Sequence, residues 1–313
     1  MVKKLLLLFF LAVVGVNCKN LHNEPQPSVE EEIQLTFMFG SHGRQTYSVF
    51  NFPTIFDHPE FVRNRITVIY HYGFTQTPNS AVVQDVVNAY TQRNIVNFVL
   101  VHYDGITTNS ITNARQLGEA IGDSLVQLFD RGYSAQNMHL VGFSLGAQIM
   151  SIAARRVQSA SSRRFTVARL TGLDPGQIPG IWLPFTGRLS SGDAVYVDSI
   201  HTEAVGFGDH ESRGHAAFFP NGGVSQPHCT QTIQLNQQTC SHEFAVTAWA
   251  ESVRALTPTF PSLSCTNWDM FISGQCNSNT VGNKGQQTQT TLRGSFFLRT
   301  NLFPPWSRTV ATP

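Results

Sequence analysis

Met138-His139-Leu140-Val141-Gly142-Phe143-Ser144-Leu145-Gly146 is the stretch that decides how this chain folds. Residues 138–143 form a short, mostly apolar run of strand length. Residues 145–157 repeat their apolar side chains at helical spacing. The period changes at Ser144 with no residues left over for a loop, so the chain must reverse in one sharp turn. Gly142 and Gly146 stand where strand and helix crowd that turn and leave no room for side chains. A strand, a strained turn and a helix together lift Ser144 above the edge of a sheet. The helix N-terminus then lies beneath it, with free N–H groups and positive partial charge suited to a developing oxyanion. Ser144 is the candidate nucleophile.

Outward from this point the same alternation continues in both directions. Apolar, β-branched runs at residues 65–72, 97–103, 138–143, 167–173 and 194–200 read as strands. Helical patterns fill 81–92, 114–130 and 145–157 between them. Continuous apolar strands separated by amphipathic helices indicate an α/β fold, a mostly parallel sheet covered on both faces. Beyond residue 220 the alternation gives way to a cysteine-bearing loop, a helix over about 242–256, and a Gln/Thr/Asn-rich surface loop at 277–291 that feeds a last strand at 294–300. No internal repeat is present.

The chain has 313 residues and a net charge of +1, which removes the basic footprint of a nucleic-acid binder. Residues 1–18 read as a secretory signal peptide: Lys3 and Lys4 precede an apolar run over 5–14 that is too short for a confident membrane span. No stable membrane anchor is expected, and residues 19–313 are read as one domain. If Cys18 leaves with the signal, Cys229, Cys240, Cys265 and Cys276 remain, an even number in an oxidising compartment. Three pairings are possible, of which Cys229–Cys240 with Cys265–Cys276 closes the smallest loops. Structural zinc is disfavoured by the absence of close CxxC spacing.

A serine hydroxyl needs a base and a third group to hold that base. In this fold class the order along the chain is Ser, then an acid, then His. Asp174 ends the next strand at Leu173-Asp174-Pro175, where the proline stops the strand and leaves the carboxylate at the sheet's carboxyl edge. Asp193 and Asp198 are its rivals. His201, His210, His215, His228 and His242 all follow Asp174. His242 is best placed, two residues after a cysteine that can tether it and at the opening of a helix.

With these residues in place, the chain resembles the pancreatic lipase family, and most of all its short single-domain insect relatives. The resemblance rests on Gly142 to Gly146, Thr171-Gly172-Leu173-Asp174-Pro175, Val197-Asp198-Ser199-Ile200-His201-Thr202-Glu203, Phe218-Phe219-Pro220-Asn221-Gly222-Gly223 and Cys240-Ser241-His242, in family order over residues 60–303. It implies an α/β-hydrolase fold, with Ser144 as nucleophile, His242 as base, Asp174 orienting the base and His201 outside the catalytic set. The family's oxyanion hole maps onto the backbone N–H groups of Leu145 and Phe74, the latter in His71-Tyr72-Gly73-Phe74. Tyr72 stands there where the family usually has His.

The family lid is the loop closed by the disulfide before the catalytic histidine, here Cys229–Cys240. It encloses only residues 230–239, with Ile233 and Leu235 as its sole large apolar residues, too little for a long amphipathic lid helix. In this family a short lid with a reduced neighbouring loop, here 202–214, accompanies phospholipase A1 activity or simple esterase behaviour; the alternative is a truncated lid with unchanged triglyceride specificity. Phe185 and Ser190 stand where two calcium-binding carboxylates belong in the family, so neither metal nor cofactor is expected. Neither a C-terminal β-sandwich domain nor a colipase partner is expected. The expected function is a secreted ester hydrolase acting on lipid esters at a lipid–water interface. The alternative is a catalytically silent lipid-binding or yolk-type storage protein on the same fold.

Overall fold

The computed structural model of the protein describes residues 28–40, 43–103, 109–177, 188–230 and 234–313. The expected signal at 1–18 lies outside them, as does Phe185. The described chain enters through an antiparallel hairpin, β1 (Ile33–Phe39) and β2 (Gly43–Ser48), at one edge of an 11-stranded sheet. β3 (Thr67–His71), α1 (Ala81–Arg93), β4 (Asn97–Tyr103), α2 (Asn109–Asp130), β5 (Met138–Phe143), α3 (Leu145–Ala160) and β6 (Arg169–Leu173) then alternate. β7 (Tyr196–Ile200), β8 (Ala216–Pro220), α4 (Gln234–Arg254), β9 (Pro261–Ser264), α5 (Trp268–Ile272), β10 (Val281–Asn283) and β11 (Gly294–Leu298) follow. β4, β3, β5, β6, β7, β8 and β11 run parallel in that spatial order, with antiparallel strands at both edges.

The strands read as continuous apolar runs because each has a core on both sides. Ile69, Leu140 and Leu170 face Leu117, Ile121 and Leu125 of α2 and Ile149 and Ala153 of α3. Val68, Tyr70 and Val141 point the other way, into Val83, Val86 and Tyr90 of α1 and Val246 and Trp249 of α4. Alternate residues thus meet different helix pairs, as the period of two in a strand requires.

The expected elements are present, most with ends moved by one to three residues, and the sheet is wider than the sequence indicated. β2 carries no large aliphatic residue, and its exposed, polar face suits an edge strand. β9 and β10 are too short to give a periodic signal. The surface loop expected at 277–291 is corrected in part: Val281–Asn283 joins the sheet and Lys284 is buried. Its polar composition misleads because the burial is held by hydrogen bonds. Arg169 donates to the carbonyl oxygens of Gly285 and Gln286 at 2.9 and 2.8 Å while pairing with Asp198 in the interior.

In the parallel register Phe143 lies beside Leu173, Leu173 beside Ile200, and Ile200 beside Phe218. Ser144, Asp174 and His201 therefore leave adjacent strands at one edge. Ligands bind at that edge in open parallel sheets.

Candidate active site

Ser144 occupies φ 53°, ψ −121°, a conformation costly for a side chain-bearing residue. The close approach of helix to strand enforces it. A Cβ at Gly142 would lie 2.3 Å from the Gly146 carbonyl oxygen, and one at Gly146 would lie 2.4 Å from those of His71 and Tyr72. Backbone bonds from Ser144 N–H to Leu173 and from Gly176 N–H to Ser144, both 3.0 Å, tie the turn to the end of β6.

Asp174 follows at φ 41° and is fully buried. Its Oδ1 accepts the backbone N–H groups of Thr202 and Glu203 at 2.7 and 3.2 Å. Its Oδ2 lies 2.5 Å from His242 Nδ1. With the Nδ1 proton committed to that carboxylate, Nε2 is the nitrogen left with a free lone pair. The His242 ring is packed between Phe143, centroids 4.6 Å apart, and Phe207, at 5.5 Å. Among the described residues no hydrogen bond joins the Ser144 hydroxyl to the ring in this conformation. The serine turn reaches His242 through its neighbour Phe143.

The helix carrying His242 begins earlier than expected. α4 opens at Gln234, so His242 sits in its third turn and not at its start. Gln and Leu are good helix formers, and the polar run before Cys240 extends the helix instead of forming a loop. Cys229 and Cys240 are bonded, with Cα atoms 5.8 Å apart, which ties α4 to the turn Pro227–Cys229. Cys265 and Cys276 form the second disulfide. Loop residues 231–233 of the expected lid lie outside the described residues.

The rivals are engaged elsewhere. Asp193 accepts from Ser151, Ser190 and Arg155, and Asp198 from Arg169 and Thr171. His201 is buried between Ser199 Oγ and the Asp209 carbonyl oxygen, and burial pushes its pKa down. His215 accepts Val197 N–H, His228 packs on Phe244 and Trp306, and His210 is exposed. Among the described residues His228, Cys229 and Cys240 approach metal-ligand spacing, but both sulfurs are spent on the disulfide.

Phe74 and Leu145 line one pocket with Tyr72, Tyr103, Leu117 and Ile149. Beside it, His71 donates from Nδ1 to the Tyr72 carbonyl oxygen at 2.8 Å. Burial pushes its pKa down to about 4, so it stays neutral and fixes the segment without adding charge.

One organising residue escaped sequence reasoning. The buried Glu203 carboxylate accepts N–H groups of Val205, Gly206 and Phe207, and burial pushes its pKa up against the pull of those donors. The turn so formed seats Phe207 on His242. An acid followed by Ala-Val-Gly-Phe-Gly was the available signal. Among the described residues no helix is long and apolar enough to cross a membrane.

A family model described as Lipase matches residues 14–306. Pancreatic triacylglycerol lipase of Mus musculus is 31% identical over 241 residues, covering 69% of this chain and 50% of its own length. Lipase member H of Oryctolagus cuniculus is 30% identical over 224 residues, covering 69% of this chain and 48% of its own. The chain thus spans about half the length of the curated relatives it matches. Among solved structures, an alpha-beta serine hydrolase homologue from Coxiella burnetii superposes with a TM-score of 0.33 at 14% identity, over 63% of this chain and 86% of that one.

Proposed function

Because this chain belongs to the pancreatic lipase family, we propose that it is a secreted serine hydrolase that cleaves carboxylic esters of lipids, glycerophospholipids among them. The observation that carries the reading is the buried Asp174–His242 pair at 2.5 Å, packed through Phe143 against the strained Ser144 turn. His242 Nε2 removes the Ser144 proton as Oγ attacks the ester carbonyl. The N–H groups of Phe74 and Leu145 receive the tetrahedral oxyanion, and His242 returns the proton to the leaving alcohol. Water then cleaves the acyl-enzyme by the same path. Each oxyanion donor is worth about 3 kcal/mol of barrier in such sites. Tyr72, Phe74, Leu117 and Ile149 give the wall beside those amides an apolar lining. Two disulfides fit an oxidising, extracellular location.

Phospholipid cleavage is favoured by the short disulfide-enclosed stretch, most of which is already helix α4 and leaves little chain to cover the site. The test sets the parent and Ser144→Ala side by side on phosphatidylcholine, a short-chain ester and emulsified long-chain triglyceride. Release of fatty acid from phosphatidylcholine by the parent, absent in Ser144→Ala, is expected. Activity confined to long-chain triglyceride and rising sharply at its interface would contradict the phospholipid assignment.

A further inference from the structure

Gly73 and Phe74 form the turn to which the proposed function assigns the oxyanion amide, and that turn is short and has an awkward shape. Thr75 lies at φ 66°, in the left-handed region that β-branched side chains avoid. The turn is closed by a long backbone bond, Gln76 N–H to Gly73 O at 3.3 Å. It is also pressed against the nucleophile: a Cβ at Gly73 would lie 3.0 Å from Ser144 Cβ and 2.9 Å from Phe143 Cδ1. Such a turn needs an external brace to hold one N–H direction.

The brace is a single side chain. Gln76 is buried, at 6% exposure, and uses both ends of its amide. Its Oε1 accepts the Gly73 N–H at 3.1 Å, and its Nε2 donates to Glu243 Oε1 at 3.1 Å. Glu243 is the residue after His242 on α4. Gln76 therefore connects the turn presenting the Phe74 amide to the helix presenting the base, across 167 residues of sequence.

We propose that Gln76 and Glu243 are positioning residues that lock the oxyanion-binding turn to the histidine-bearing helix, so that the Phe74 N–H and the His242 ring are held in one frame. The assignment rests on the ester-hydrolase reading above. Neither side chain touches the reacting atoms. They act only through the Phe74 N–H, whose oxyanion partner exists only after attack, so their loss lowers kcat and leaves substrate binding nearly unchanged. A carboxylate is the right partner for an amide N–H donor, and the charge strengthens the bond. The pair can also be exchanged. In the double substitution Q76E/E243Q a carboxylate accepts Gly73 N–H and a neighbouring amide N–H, which restores the same connections with donor and acceptor reversed.

The experiment measures kcat and KM on a soluble short-chain ester, with thermal unfolding as control, for the parent, Q76A, Q76E and Q76E/E243Q. Q76A is expected to lose about 10- to 100-fold in kcat with KM within about twofold. Q76E, which sets two carboxylates against each other, is expected to lose at least as much. The swapped pair is expected to recover most of the rate, which a merely space-filling role would not produce. A parent that hydrolyses the ester while Q76A matches its kcat overturns this assignment alone. So does a folded swapped pair no better than Q76E. A parent with no ester hydrolysis overturns the reading on which the assignment rests, and the assignment with it.

Discussion

Asp174→Asn is expected to lower kcat by about 10⁴-fold while KM and the unfolding midpoint change little. The size follows from which hydrogen bonds an asparagine can keep. The carboxylate accepts three bonds, two from the Thr202 and Glu203 backbone and one from His242 Nδ1. An amide of the same shape satisfies the two backbone N–H groups with its oxygen. Its NH2 group then faces Nδ1, and a donor facing Nδ1 requires that nitrogen to be the lone-pair end of the ring. The proton moves to Nε2, the nitrogen that must take the Ser144 proton. Geometry survives and the tautomer is wrong. Steady-state kinetics on a short-chain ester checks this, and a loss below about tenfold would remove Asp174 from the proposed triad.

Lys284→Met is expected to stabilise the protein at pH 7, with a gain that shrinks as pH rises. Lys284 is buried at 1% exposure, its Nζ 3.8 Å above the Phe260 ring and without a hydrogen-bond partner among the described residues. Burial pushes its pKa down to about 7, against the opposing pull of Glu251 and Asp198. The unfolded chain binds this proton up to its ordinary pKa of 10.5, and the folded chain only up to about 7. Between those values the unfolded state holds more protons, so this group makes stability rise with pH, by about 1.4 kcal/mol per unit. The penalty is absent above the unfolded value and complete below about 7, where it is roughly 5 kcal/mol on that scale. Methionine fills the site without the proton. Urea unfolding of both proteins at pH 7 and 9.5 should show the stability gap closing as pH rises. Parallel behaviour at both pH values would mean the ammonium finds a compensating partner.

The parts legible in the sequence are those a local pattern encodes. Residues 138–146 announce strand, turn and helix because the hydrophobic period changes within a single residue. Asp174 is marked by the proline that stops its strand. The parallel centre of the sheet follows from runs apolar on both faces. The remainder depends on partners distant in sequence. β2 is polar because it lies at an edge, and nothing local distinguishes that from a loop. The 284–288 segment looks like surface until Arg169 is seen holding its carbonyls from the interior. The early start of α4 was hidden by a Gln/Asn/Thr run that composition assigns to loops. Glu203 and Gln76 act through backbone N–H groups, and no side-chain pattern reports which N–H groups converge.

The most direct measurement treats the intact protein with a fluorophosphonate, which reacts with a serine only when a base has activated it, and maps the adduct by mass spectrometry. A single adduct on Ser144, lost in His242→Gln and retained in His201→Gln, is the expected result. An unlabelled parent, or labelling of Ser144 that persists without His242, would contradict the account.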